Sequence, residues 1–289
     1  MTLPVEELVR LGALRFQVRR LVDALEHGLH PARGNRGGGD FLEHRPYASG
    51  DAPKAIDWRA SARHDAVVVR DLRAERRLNV CVLLDSSASM GFGDPVSKFR
   101  YASWLGLGAA FAAARSADGA TLNLDAGALR WSGKLRRGMA ELGRWSEQIE
   151  TLEAAGQTDL TAAVERAVGE GSGRGLLIVV SDLLEVDDSL WRRLGDLRHA
   201  GWHIAALRVL TPEELEFPFS GATQFIPVEQ GEQLEVDAGA LRRAYLDELE
   251  RFESAQRRAC AAAGVHWISV RTDASPVGPL RRLMAERLP

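Results

Sequence analysis

Apolar residues first recur along the chain at three- and four-residue steps: Leu8, Leu11, Leu14, Val18, Leu21, Val22 and Leu25. That spacing brings a side chain back to the same helix face on every turn, so it predicts one amphipathic helix over 5–27, ended by Gly28 and Pro31. Residues 32–53 lose the period and collect Gly34, Gly37, Gly38 and Gly39 among Arg and Asp, which reads as a loop. A short helix around Trp58, over 56–63, and a strand over 66–72 follow.

At 78–85 the pattern changes. Val80, Cys81, Val82, Leu83 and Leu84 are apolar at successive positions, as a central parallel strand requires when helices cover both of its faces. From there helices and strands alternate: helix 96–115, strands 120–125 and 128–131, helices 135–152 and 160–168, and strand 176–180. Helix 190–199, strand 202–209, a long helix 240–263, strand 265–271 and helix 279–287 complete the series. Right-handed crossovers then place helices on both sides of an open, mostly parallel α/β sheet, with functional residues beyond the carboxyl ends of its strands. Residues 211–237, with Pro212, Pro218, Gly221, Pro227 and Gly231, are long for a connection and predict a hairpin-like insertion with strands near 223–228 and 233–236. The resulting division is an N-terminal helix and extension over 1–77 and an α/β domain over 78–289 that carries the insertion at 211–237.

Composition narrows the setting. The 289 residues are 45% hydrophobic and 27% charged with a formal net charge of -3, which fits a soluble globular chain and names no partner. The only two cysteines, Cys81 and Cys260, sit in apolar and alanine-rich runs, so neither suggests a disulfide framework or a thiolate cluster, and a reducing cytoplasm is expected. The longest apolar stretch, 104–114, is too short to span a bilayer, and Glu6, Glu7 and Arg10 stand where a signal sequence has an apolar core; no membrane insertion is expected. Arg33, Arg36, Arg45, Arg59, Arg63, Arg70 and Arg73 are interleaved with acids, which argues for a solvated mixed face and against nucleic-acid binding. The seven histidines form no metal spacing, and no His-Glu-x-x-His, Gly-x-Ser-x-Gly or Gly-x-x-x-x-Gly-Lys-Ser/Thr motif is present. No catalytic residue is assigned.

The strongest local chemistry is Asp85-Ser86-Ser87-Ala88-Ser89, directly after the apolar strand. Mg2+ seeks an octahedral oxygen shell at about 2.1 Å and often keeps waters, so two hydroxyls with a carboxylate that orients a water supply half of such a shell. Thr158, before one helix, and Asp182, after the apolar strand 176–180, are candidates for the other half if their strands are neighbours. Taken alone, 85–89 also reads as a polar strand-end turn, Thr158 as a helix cap and Asp182 as a loop acid. A metal-assisted phosphatase or other hydrolase, with Asp85 as nucleophile, is the enzymatic alternative; Ser87 stands where such an enzyme has its second Asp, and no lysine clearly pairs with it.

The order Asp-x-Ser-x-Ser, then Thr, then Asp, carried here by Asp85, Ser87, Ser89, Thr158 and Asp182, resembles the metal-ion-dependent adhesion site of the von Willebrand factor A superfamily. The resemblance implies constant ligation by Ser87 and Ser89, adjustable ligation by Thr158 and Asp182, Mg2+ or Mn2+ as the ion, and a partner's acidic side chain in the last position. Such a site is largely of neutral hydroxyls, so much of the ion's charge is left for that incoming carboxylate.

A second resemblance precedes the sheet. Arg45, Tyr47, Gly50 and Asp51 match Arg-x-Tyr-x-x-Gly-Asp, and Ile56, Asp57, Trp58, Ala62 and Arg63 match Ile-Asp-Trp-x-x-x-Ala-Arg, two elements of the bacterial family known as domain of unknown function 58. The family resemblance implies an adaptor for a MoxR-type AAA+ ATPase, acting on an unidentified protein client in assembly or activation. Many members carry membrane-spanning helices ahead of this region, where this chain has a charged amphipathic stretch, and Gln157 stands where members often have Gly. Two roles are open for the extension residues. In a scaffold, Asp51 and Asp57 pair with Arg45, Arg59 or Arg63 and Trp58 packs the extension on the sheet edge; in the other, Tyr47, Arg45 and the 34–39 loop contact a partner.

Overall fold

The apolar run at 80–84 lies at the centre of a six-stranded sheet in the computed structural model. The structure describes residues 3–26, 41–48, 51, 56–64, 66–72, 79–116, 120–126, 129–135, 139–169, 174–184, 186–225 and 234–285. The chain opens with helices α1 (Val5–Arg10) and α2 (Leu14–Glu26), followed by β1 (Phe41–Pro46), α3 (Trp58–His64) and β2 (Val68–Leu72). Next come β3 (Asn79–Asp85), a 3-10 turn (Ala88–Gly91), α4 (Lys98–Ser116), β4 (Ala120–Ala126), β5 (Leu129–Leu135), α5 (Met139–Glu150) and α6 (Leu160–Gly169). Then follow β6 (Gly175–Ser181), α7 (Asp188–His199), β7 (His203–Leu210), α8 (Pro212–Glu216), β8 (Ala222–Phe225) and β9 (Leu234–Asp237). Helix α9 (Ala238–Ala262), strand β10 (His266–Arg271) and helix α10 (Val277–Ala285) end the series.

The main sheet has the order β10-β7-β6-β3-β4-β5, parallel throughout except for the β4–β5 pair. This is the open, mostly parallel α/β sheet with helices on both faces that was expected. Successive side chains of a strand face opposite sides, so β3 splits its apolar run between two cores. Val80, Val82 and Leu84 join the core built with α2, α4, α5 and α10, while Cys81 and Leu83 join the one built with α6 and α7. Helix α4 is buried on nearly every face, and it approaches β3 closely at Gly106, where a Cβ would lie 2.6 Å from Leu84 Cδ2.

Two compact units are present, one of Met1–Gly28 with Leu78–Pro289 and one of Leu29–Arg77. The boundary after Arg77 coincides with the expected one, but the N-terminal helices fall with the sheet: Leu8, Leu14, Val18, Leu21 and Leu25 of α1 and α2 belong to the same core as β3 and α4. The single helix expected over 5–27 is also two helices, because Gly12 turns the chain at φ +68°. Buried Gln17 then serves the break, donating to the carbonyls of Leu8 and Gly12 at 3.1 and 3.0 Å and accepting from Trp104 Nε1 at 2.8 Å.

In the second unit, residues 41–46, expected as loop, form β1 and pair antiparallel with β2. His44, Arg45 and Pro46 give that strand little apolar signal; the pairing comes from β2. The glycines at 34–39 lie outside the described residues. Within 211–237 the hairpin is formed by β8 and β9, and α8, which the sequence reading did not anticipate, precedes it.

Candidate metal centre

Strands β3 and β6 are parallel neighbours, so Asp85 at the end of one and Asp182 just beyond the other leave the same edge of the sheet. From β3 the chain goes to β4 on one flank and returns to β6 on the other, and a crevice at such a switch point is where open α/β sheets bind ligands. Asp85 is buried: its Oδ1 accepts from the backbone N–H of Ser87 at 2.9 Å and its Oδ2 accepts from the Ser181 hydroxyl at 2.7 Å. Burial raises its pKa above the ordinary carboxylate value; the two hydrogen bonds oppose that shift and the nearby Asp182 charge adds to it.

The Ser87 N–H bond folds the chain back over Asp85, and the 3-10 turn that follows brings the Ser87 and Ser89 hydroxyl oxygens to 3.2 Å. Adjacent oxygens of an octahedral Mg2+ shell lie about 3 Å apart, so this pair has the spacing of two neighbouring ligands. The Thr158 loop is pinned beside it by two backbone bonds, Ala155 N–H to Ser86 O at 2.9 Å and Ala88 N–H to Gly156 O at 2.8 Å. Gly156 takes φ +73°, and Gln157 leaves that turn intact. Thr158 donates its hydroxyl to the Asp125 carbonyl at 2.8 Å, which keeps its oxygen lone pairs free to act as a ligand. It does not cap α6. Asp159 does, accepting from Ala162 N–H at 2.9 Å.

Asp182 is held differently. Its Oδ2 accepts from Lys98 Nζ at 2.7 Å, and Lys98, buried at the start of α4, also donates to Glu214 at 2.6 Å. Arg208, fully buried in β7, donates from Nε to the Asp182 carbonyl at 3.1 Å and lies 5.6 Å from the Phe252 ring and 5.9 Å from that of Trp267. The loops thus meet at one edge, with the two serine hydroxyls together and the Asp182 carboxylate turned to an internal ammonium. All five candidate donors are oxygens, which fits a hard divalent cation. Among the described residues no group of three or more His, Cys, Asp and Glu is placed to hold a metal, so the hydroxyls would have to carry the ligation.

Lys98, Ser181, Arg208 and Glu214 also belong to this edge and were not among the residues expected there. A signal existed for two: Lys98 heads a helix apolar on every side, and Arg208 interrupts an otherwise apolar strand. The lysine at this edge, Lys98, pairs with Asp182 and not with Asp85.

In the other unit, Arg45 grips Asp51 with two bonds of 2.8 and 2.7 Å, and Asp51 also accepts from Ala48 N–H at 2.9 Å. The Arg45 bonds first, then the Ala48 N–H, lower the Asp51 pKa to about 2. Asp57 starts α3 by accepting from the N–H groups of Arg59 and Ala60, both at 3.1 Å, and its other oxygen meets His44 Nε2 at 3.2 Å. Tyr47 and Arg63 are exposed. Trp58 is 68% exposed, so the packing role expected of it is not seen within its own unit.

The profile of a family described as protein of unknown function DUF58 matches residues 43–255. The uncharacterized proteins Rv1480 of Mycobacterium tuberculosis and Mb1516 of Mycobacterium bovis are each 28% identical over 294 residues, covering 96% of this chain and 88% of their own length. Among solved structures, an aerotolerance-related membrane protein of Bacteroides fragilis is similar at TM-score 0.48 and 18% identity, over 72% of this chain and 98% of that one. The conserved hypothetical protein BatB of Bacteroides thetaiotaomicron is similar at TM-score 0.47 and 16% identity, over 72% and 96%. Among the described residues, no helix is long and apolar enough to cross a membrane.

Proposed function

The chain belongs to the DUF58 family, and from that premise we propose that it is a cytoplasmic, metal-dependent protein-binding adaptor that works with a MoxR-type AAA+ ATPase on a protein client. The observation that carries this reading is the Ser87–Ser89 hydroxyl pair, 3.2 Å apart at the switch-point crevice. Ser87, Ser89, Thr158 and Asp182 would hold Mg2+ or Mn2+, with Asp85 orienting a bound water. The ion supplies a positive charge, incompletely neutralised by hydroxyl ligands, that a carboxylate of the partner answers.

The chain's own residues favour recognition over hydrolysis. Both Asp85 oxygens already accept hydrogen bonds in a buried setting, which blunts a nucleophile, and Lys98 faces Asp182 and Glu214 instead of Asp85.

Two measurements test the proposal. Calorimetric titration with Mg2+ should give binding to the wild type and none to Ser87→Ala/Ser89→Ala; equal binding by both overturns the site. Affinity purification from the native cell should retain an AAA+ ATPase and a further protein, and lose both with chelator or with Asp85→Ala. Retention that ignores both perturbations overturns the metal-dependent adaptor.

A further inference from the structure

Beside the candidate metal centre, a cavity of about 770 Å³ opens among α8, the β8–β9 hairpin and α9, and Ser89 lies on its wall. Its interior is aromatic. Phe217 sits 4.6 Å from Tyr245, 5.2 Å from Phe219 and 5.7 Å from Phe225 by ring centroids, and rings locked against one another make a preformed apolar wall. Its rim holds three large apolar side chains in water: Phe92 at 37% exposure, Leu184 at 37% and Leu241 at 39%. Phe92 follows the serine loop and Leu184 follows Asp182, so the sequences that form the candidate metal site also build the rim.

The backbone is held under strain around this cavity. Among the described residues, the non-glycine positions with positive φ are Leu183, at +53° beside Leu184, and Phe217, at +44° on the wall. A left-handed backbone is costly for a residue with a Cβ, and such strain collects where a surface must be presented in one particular way.

Polar groups on the wall are few. Lys98 and Glu214 answer each other, while the buried Glu213 Oε2 has no hydrogen-bond donor among the described residues. The complement of this surface is a carboxylate at one end, bulky apolar groups along the middle and an N–H donor facing Glu213. One extended stretch of polypeptide carries all three, and the apolar rim spreads the contact beyond the cavity itself.

We propose that this groove binds an extended segment of a partner protein in which an Asp or Glu is accompanied, within a few residues, by a Leu, Met, Phe, Tyr or Trp. The carboxylate lies at the candidate metal centre and the apolar side chain packs against Phe217 and Phe219. The acidic end rests on the metal-dependent recognition proposed above; the apolar end rests on the cavity alone.

The full chain, immobilised with Mg2+, is used to select from a displayed library of random dodecapeptides, beside Leu241→Glu and Ser87→Ala/Ser89→Ala. Leu241 is on the exposed rim, so its variant should keep the wild-type melting temperature. The wild type should enrich peptides with an acid near a bulky apolar residue. Leu241→Glu should keep the acid preference, lose the apolar one and bind a wild-type-selected peptide about tenfold or more weakly, as expected for one large apolar contact. Should the metal reading alone fail, apolar enrichment persists in the wild type without an acid preference. Acid enrichment with no apolar preference, an apolar preference unaltered by Leu241→Glu, or an unenriched pool each overturns the groove. Sedimentation that finds a dimer dissociated by Leu241→Glu makes the occupant a second copy and also overturns it.

Discussion

Replacing Lys98 with Met keeps the apolar stem of the side chain and removes its charge. The ammonium is 1% exposed and bridges Asp182 at 2.7 Å and Glu214 at 2.6 Å, with the Glu214 side chain 15% exposed. Without it, two carboxylates lose their counter-charge, and Asp182 also faces Asp85 across the strand ends. Removing one partner of a buried ion pair costs roughly 3–5 kcal/mol, and because Glu214 reaches some water the lower figure, about 3 kcal/mol, is expected. With a urea slope of about 3 kcal/mol per molar, the unfolding midpoint then falls by about 1 M. The variant Lys98→Met/Asp182→Asn/Glu214→Gln, which takes away all three charges, should recover most of that loss. Mg2+ should raise the melting temperature of Lys98→Met more than that of the wild type, since the candidate cation site no longer has an ammonium beside it. A loss below about 1 kcal/mol in Lys98→Met, or a triple variant no more stable than the single one, would refute the view that this ion pair organises the site.

Three further perturbations separate structure from site. Gly106→Ala places a Cβ 2.6 Å from Leu84 Cδ2 in a packed core, so despite the better helix propensity of Ala it should cost about 1–3 kcal/mol in urea unfolding; a gain refutes the close approach. Asp159→Ala should cost about 1 kcal/mol by uncapping α6 without changing Mg2+ affinity, whereas a lost Mg2+ response would tie Asp159 to the site. Asp51, with its folded pKa lowered from 3.8 to about 2, stabilises its unit above pH 3.8, and that contribution is lost as the pH falls through about 2. Its carboxyl NMR titration should have a midpoint near 2 that moves toward 3.8 in Arg45→Gln, and a wild-type midpoint near 3.8 refutes the pairing.

The sheet was legible in the sequence wherever a strand is apolar on both faces, because only helices on both sides make that pattern useful, and 80–84 and 176–180 carry it. The loop at 85–89 was legible for a related reason: five small residues, four of them polar, end a buried strand on the side where open sheets bind ligands. Gly12 was not, since Leu11 and Leu14 keep the helical spacing across it and only its φ reveals the break. Strand β1 was hidden because pairing with β2, not its own side chains, makes it a strand. Lys98 and Glu214 are 116 residues apart, and a charge at a helix start is ordinarily solvated, so only the topology discloses that Lys98 bridges Glu214 and Asp182. That the N-terminal helices pack with the sheet and not with 29–77 was hidden, because an amphipathic stripe says that a face is covered and not by what.

That last point is open to a direct test at Gln17. Gln17→Leu retains a side chain of similar size but leaves the buried Trp104 N–H without its acceptor and the Gly12 carbonyl without its side-chain donor, while the Leu8 carbonyl keeps the Leu11 N–H at 3.0 Å. An unsatisfied buried donor costs about 1–3 kcal/mol, and the partly buried Gly12 carbonyl adds less, so about 2–3 kcal/mol is expected in all. Because α1 and α2 share a core with β3 and α4, the loss should appear in the global transition: fluorescence and far-UV circular dichroism should shift together in urea, and amide exchange should accelerate equally in α2 and β3. If exchange quickens in α2 while β3 keeps its protection, the N-terminal helices are a separately unfolding layer, and the core they share with the sheet is not cooperative.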